Sequence, residues 1–311
     1  MEDISIVAIV PTIGRDSVFA AVTSILKQKY PVNEIVLCYD GNAFKEFERK
    51  IYDFFDAEKR IKIIDCGVFN GGNNARQCGI ENSSSTYIAL LDDDDEWLPT
   101  HTQEFIELTK SAFIKTEFIF YSSGVILVEN GRNIGERPTR MKSEKESFSE
   151  YIFVKKGFAW EHGFIQSSIM IFSRALAEAI PFDKSLRFHQ DIDWIMKVQR
   201  SKLNYIYLQN PNKTVIYYSS TDSVSKKITY AQSSAWALKS FEPSDKRPLG
   251  DFLLTQTFRF AKNNGGYVNM WEVFFTGIRK GRPSIYALSL ALSALLIPKS
   301  IKKGLKRFLK K

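Results

Sequence analysis

Four consecutive carboxylates, Asp92 to Asp95, follow directly on the apolar run Ile88-Ala89-Leu90-Leu91. A strand therefore delivers a block of like charge to its own end, and such a block is costly unless something positive neutralises it. A hard divalent cation, Mg²⁺ or Mn²⁺, held by one or two carboxylates and completed by phosphate oxygens, meets that need. A solvated acidic turn is the plainer reading of four acids in a row. Position at the end of an apolar strand favours the cation.

The surrounding elements must hold that block in place. The first hundred residues alternate β-rich runs with helical stretches: Ile4 to Val10, a helix over about Ser17 to Lys27, Glu34 to Tyr39, a helix over about Phe44 to Phe55, Ile61 to Asp65, a helix over about Asn74 to Glu81, and Tyr87 to Leu91. That order predicts an α/β fold with a doubly wound, mostly parallel sheet, whose ligands bind beyond the carboxyl ends of the strands. A helix from about Pro99 to Ser111 follows, then strands Phe118 to Tyr121 and Val125 to Val128, and a polar loop from Glu129 to Ser147, readable as a lid or a mere insertion. Helices near Ser173 to Ala179 and Gln190 to Ser201 precede strands near Tyr205 to Leu208 and Thr214 to Tyr218. Beyond about Ser219 the pattern turns helical, with a turn at Glu242 to Gly250 marked by two prolines and a glycine.

Five segments in one order resemble the family 2 glycosyltransferases, with their GT-A fold and inverting chemistry. Leu91-Asp92-Asp93-Asp94-Asp95-Glu96-Trp97 is similar to the family's D-x-D region, and Val10-Pro11-Thr12-Ile13-Gly14-Arg15 to its opening strand-end motif, from which Ile13 and Gly14 depart. Tyr39-Asp40-Gly41 resembles an Asp-Asp-Gly motif with Tyr39 in place of the first acid. Asn70-Gly71-Gly72 through Ala75-Arg76-Gln77 resembles the Asn-x-Gly…Ala-Arg-Asn segment, and Phe182-Asp183 through Asp191-Ile192-Asp193-Trp194 the segment with the catalytic base, Gln190 standing where many members have Glu. The resemblance runs from Ile4 to about Ser225. It implies a transferase domain over 1–225, with a nucleotide-sugar-binding half (1–100) and an acceptor-side half (101–225), followed by a helical region over 226–311.

The roles implied are those of a metal-dependent sugar transfer from a UDP-sugar. Asp94 would be the direct metal ligand, Asp92 a contact to metal or ribose, and Asp93 a neighbour of the sugar. Asp40 would accept the imide N–H of the base, and Pro11, Thr12 and Arg15 would line the nucleoside. Arg76, at a helix start whose free N–H groups also favour anions, would meet the diphosphate. The cation would act as a Lewis acid on the leaving diphosphate. Asp191, at a helix start that favours its ionised form, would be the base that deprotonates the acceptor, with Asp193 as rival. His162, His189, Trp160 and Trp97 are acceptor-side candidates, although isolated histidines and a helical tryptophan such as Trp194 are more often structural.

Composition sets the partners. With 311 residues, 44% apolar and 14% aromatic, the chain can bury a large core. Cys38, Cys66 and Cys78 form no C-x-x-C pattern, which fits a reducing cytoplasm. No signal-peptide pattern opens the chain, so a cytoplasmic enzyme is expected. The net charge is +8, yet Val273 to Lys311 holds ten Lys/Arg and no acid, so the body before it stands at −2 and no nucleic-acid module is recognisable. The 14-residue apolar run Ser284 to Ile297 is shorter than the roughly 20 residues a spanning helix needs. After Pro298 the remainder segregates apolar from basic residues, so 284–311 reads as an interfacial tail for anionic lipid at the inner face of the membrane. A saccharide acceptor, lipid-linked, in surface polysaccharide assembly is the expected partner. A sugar- or nucleotide-binding module without turnover, or a nucleotidyltransferase, are the competing readings; the second lacks its Gly-rich phosphate loop.

Overall fold

The computed structural model describes residues 4–112, 115–158, 163–219 and 228–296. The chain forms two compact units, residues 1–141 with 164–221 and residues 142–163 with 222–311.

The first unit is built on one mixed sheet. Strands β1 (Ile6–Thr12), β2 (Glu34–Tyr39), β3 (Ile61–Asp65) and β4 (Tyr87–Leu90) alternate with helices α1 (Ser17–Leu26), α2 (Phe44–Phe54) and α3 (Gly72–Glu81). All adjacent pairs of these four strands are parallel, in the order β3-β2-β1-β4. The residues from Ile6 to Val10 are wholly buried, as befits a strand covered on both faces. Each such side chain contributes about 1.5–3 kcal/mol on burial. Because β2 and β4 flank β1 on opposite sides, the strand order reverses at β1/β4, and open α/β sheets hold their ligands at such a crevice.

The second part of this unit departs from the simple alternation. After β5 (Glu96–Trp97) and α4 (His101–Ser111) come β6 (Ile119–Glu129) and β7 (Arg132–Arg137). The span 129–147, expected as a loop, thus begins as a β6–β7 hairpin around Asn130-Gly131, both at positive φ. Later come β8 (Met170–Ser173), α6 (Arg174–Ala179), α7 (Gln190–Arg200) and β9 (Ile206–Tyr218). Strand β8 lies antiparallel between β4 and β6, β9 runs parallel to β6, and β5 closes the edge on β9. The two short strands expected on either side of Asn210 are one strand.

Helix α3 lies close on the sheet because of Gly79, where a Cβ would collide with Cys38 Sγ and stand 2.9 Å from Ile9 Cγ2. The three cysteines, remote in sequence, meet behind this helix as free thiols. The Cys38 thiol and burial push Cys66 up, and the Cys66 thiol and burial do the same for Cys78.

The second unit is helical. It contains α5 (Phe148–Phe153), which starts at a Ser147/Glu150 capping box, α8 (Tyr230–Ser240), with a Thr229/Gln232 box, and α9 (Lys246–Phe252). The turn expected over 242–250 is therefore largely helical: Pro248 falls in the first turn of α9, where its missing N–H costs nothing. Two π-type turns, Leu253–Thr257 and Ala261–Gly265, flank α10 (Phe258–Phe260), and α11 (Gly266–Lys280) and α12 (Ile285–Leu296) follow. Phe153, Phe241 and Phe252 pack ring against ring, which places 142–163 with this unit rather than in the first domain. Buried Asp251 accepts hydrogen bonds from Lys155 N (2.8 Å) and Ser284 N (2.5 Å) and so ties the segments together. No helix among the described residues is long and apolar enough to cross a membrane.

Candidate active site

The four acids behind β4 do not act alike. Asp93 and Asp95 are buried, at 0% and 1% exposure, whereas the Asp92 and Asp94 side chains are 27% and 30% exposed. Asp93 receives the Thr12 hydroxyl at 2.6 Å and the Arg15 guanidinium, which crosses the β1/β4 crevice. Asp95 accepts from Ser168 Oγ at 2.6 Å and Tyr218 N at 3.1 Å, anchoring the turn to β9 and to the segment before β8. Burial, then the Asp92 charge, pushes Asp95 well above the usual carboxylate range. Asp92 and Asp94 are left facing outward at the switch point. Burial and the Asp92 charge raise Asp94, although Arg15 Nη1 donates to its Oδ2 at 2.9 Å.

A second group converges from α3 and α7. Arg76 is buried, and its Nη2 donates to Asp92 Oδ1 at 2.5 Å and Ser167 Oγ at 3.0 Å, while Nη1 donates to Gln190 Oε1 at 2.9 Å. Asp191, the next residue, is half-buried; its Oδ1 accepts from Ile192 N at 2.8 Å. Burial raises its pKa, the Arg76 charge opposes this, and Asp92 adds to the rise, so the three charges sense one another. Asp193 is buried further along α7 and ion-paired to Lys197 at 3.0 Å. Half-buried Tyr217 on β9 lies in the same field: burial, then Asp95, Asp92, Asp94 and Asp191, push its phenol up.

Several roles expected from the motifs are altered by this geometry. Asp40 is buried and accepts from Asn70 N and Gly71 N, both at 2.6 Å, so it fastens the loop before α3. Asp93, expected beside the sugar, is buried and bonded to Thr12 and Arg15. The Thr12 hydroxyl is spent on Asp93, Pro11 lies half-buried within β1, and Arg76 is engaged with Asp92. Trp97 is buried, stacks on His101 at 4.6 Å and donates to Ser168 O, which removes it from the acceptor side. Trp194 is core, as the helical spacing suggests. His189 is half-buried, at φ 53, and its carbonyl accepts from Asp193 N at the start of α7. Trp160, His162 and the tail beyond 296 lie outside the described residues.

Ser167, Ser168 and Tyr217 lie in no motif and nothing in their local sequence singles them out, while Arg187 falls inside the segment 182–194 without being marked there as a site residue. Arg187 is exposed, donates to Phe69 O at 2.9 Å and reaches over Gly71, where a Cβ would stand 2.6 Å from its Nη1. Gly71 sits at φ 97, a conformation that disfavours a side chain there.

Among the described residues no group of three or more His, Cys, Asp or Glu could hold a metal by itself. The outward Asp92/Asp94 pair nonetheless fits a hard cation of the kind that takes one or two carboxylates and draws its remaining ligands from phosphate and water.

The family model for glycosyl transferase family 2 matches residues 7–180, more than half of the chain and the whole of this strand-end constellation up to Ser168. The chain belongs to glycosyltransferase family 2. Among curated relatives, it is 25% identical over 218 residues to the amylovoran biosynthesis glycosyltransferase AmsB of Erwinia amylovora, covering 68% of this chain and 69% of that protein. It is 32% identical over 117 residues to the UDP-Glc:alpha-D-GlcNAc-diphosphoundecaprenol beta-1,3-glucosyltransferase WfaP of Escherichia coli, covering 37% of this chain and 43% of that one. Among solved structures, Staphylococcus aureus TarS 1-349 in complex with UDP-GlcNAc superposes with a TM-score of 0.62 at 15% identity, covering 96% of this chain and 83% of that chain. That likeness establishes the GT-A fold for this glycosyltransferase.

Proposed function

We propose that this glycosyltransferase moves a sugar, with inversion, from a UDP-sugar to a hydroxyl of a saccharide carried on a lipid diphosphate, in the assembly of a surface polysaccharide. The observation that carries the reading is the convergence of half-buried Asp191 with the outward Asp92/Asp94 pair at the sheet's switch point. Two opposed tasks need two carboxylate environments, one to hold charge beside the diphosphate and one to take a proton.

A Mg²⁺ or Mn²⁺ at Asp94 and Asp92 would stabilise charge on the leaving diphosphate. Arg15 and Arg76 hold those carboxylates in position, and exposed Arg187 would meet a phosphate. Asp191 accepts the proton of the acceptor hydroxyl as its oxygen bonds to the anomeric carbon and the bond to the diphosphate breaks. The raised pKa suits it, since a base closer to neutrality takes a proton more readily. Asp193, spent on Lys197, is the poorer candidate.

Two relatives are glucosyltransferases named for diphosphoundecaprenol-linked sugars, which supports a lipid-linked acceptor. Work at the inner face of the membrane is supported by α11, which exposes Tyr267, Val268, Trp271, Phe275 and Ile278 along one stripe, and by the seven Lys/Arg and no acid of 297–311. The test is Asp191→Asn: transfer is lost by about 10²–10⁴-fold while UDP affinity holds. Anomeric analysis of the product by NMR should show inversion; retention would sink the assignment of Asp191 as base.

A further inference from the structure

The helical unit holds a groove of about 300 Å³ that no step above uses. Its wall is apolar: Phe153 from α5, Phe258 from α10, and Leu290 and Ala294 from α12. Lys155, Arg259 and Lys262 also line it, and no carboxylate does. Arg259 Nη2 donates to the neutral Gln256 Oε1, at 3.1 Å, and the guanidinium lies 5.5 Å from the Phe260 ring centre. Among the described residues neither Arg259 nor Lys262 has an ion pair. Arg259 is exposed and Lys262 half-buried, so both present their charge to whatever enters the groove.

Apolar walls beside Arg259 and Lys262 match an amphiphile with a hydrocarbon chain and a negatively charged head. A free phosphate would leave the apolar wall unused, and an apolar peptide segment would leave the cations unpaired. We propose that this groove binds the isoprenyl diphosphate part of the acceptor, the chain against α10 and α12 and the diphosphate at Arg259 and Lys262. The assignment rests on the proposed transfer to a lipid-linked saccharide and adds the place where the lipid is read.

Calorimetric titration of the full chain with farnesyl diphosphate, farnesol and inorganic pyrophosphate tests it. Farnesyl diphosphate should bind at least tenfold more tightly than either of the others. Arg259→Gln and Ala294→Trp, which respectively remove the charge and fill the slot, should each weaken it at least tenfold with melting temperature unchanged. Equal binding of farnesol, or no loss in either variant, would overturn the site. Transfer to a saccharide on a short, uncharged aglycone separates the two proposals. If that transfer proceeds and Ala294→Trp fails to raise KM for the isoprenyl diphosphate-linked acceptor, the groove assignment falls and the transferase reading stands. If no UDP-sugar supports transfer, the transferase reading falls, and the titration alone decides whether the groove takes the lipid.

Discussion

At the scale of single residues, neighbouring acids of one type are given different work by burial. Asp93 and Asp95 lock the turn, while Asp92 and Asp94 remain outward. The same sorting separates Asp191 from Asp193, and it yields a contrast. Asp191→Asn should abolish transfer and spare folding, because among the described residues its outer oxygen holds no structural bond. Asp193→Asn removes one partner of a buried ion pair and should lower the melting temperature while retaining activity at permissive temperature. Thermal melts paired with initial rates check this, and full activity of Asp191→Asn would refute the base assignment. Asp95 carries a pH signature. Its folded pKa is raised, so between the ordinary carboxylate value and that raised value the native state holds a proton the unfolded chain has released, and stability falls as pH rises through that window. Asp95→Asn should flatten this fall. Parallel melting-temperature profiles for wild type and variant would contradict a buried, neutral Asp95.

At the scale of elements, the strands and helices up to β4 are legible because continuous apolar runs and helical spacing alternate cleanly, and the bounds of β3 coincide with the run Ile61 to Asp65. The family motifs likewise mark the strand ends. What the sequence conceals is non-local. The short run Met170–Ser173 gives no sign that it inserts antiparallel between β4 and β6, and Trp97 looks like an exposed aromatic until β5 pairs with β9. Tyr217 gains its place among the carboxylates only through the pairing of β9 within the sheet. Asp40 shows an acid before a glycine, but its use on two backbone N–H groups depends on where the loop before α3 passes. The closeness of α3 to the sheet is a further case, since a glycine within a helix does not by itself reveal that it lets α3, which carries Arg76, lie against Cys38 and Ile9. Gly79→Ala should cost about 1–3 kcal/mol by overpacking against Ile9 and Cys38. Denaturant unfolding measures it, and a neutral effect would mean that α3 shifts freely.

At the scale of the whole molecule, one unit carries the strand-end carboxylates and the other exposes apolar residues along α11, the division that the proposed transfer from a soluble donor to a lipid-linked acceptor would use. Under the proposed function, the slightly acidic first 272 residues and the basic end would serve a water-soluble donor and an anionic lipid surface respectively. The proposed transfer requires the outward Asp92/Asp94 pair to be a cation site completed by a nucleoside diphosphate. Calorimetric titration with UDP, and GDP as control, with and without Mn²⁺, tests it most directly. UDP should bind tightly only with the metal, and Asp94→Ala should abolish that dependence; metal-independent binding, or no binding of either nucleotide, would contradict it.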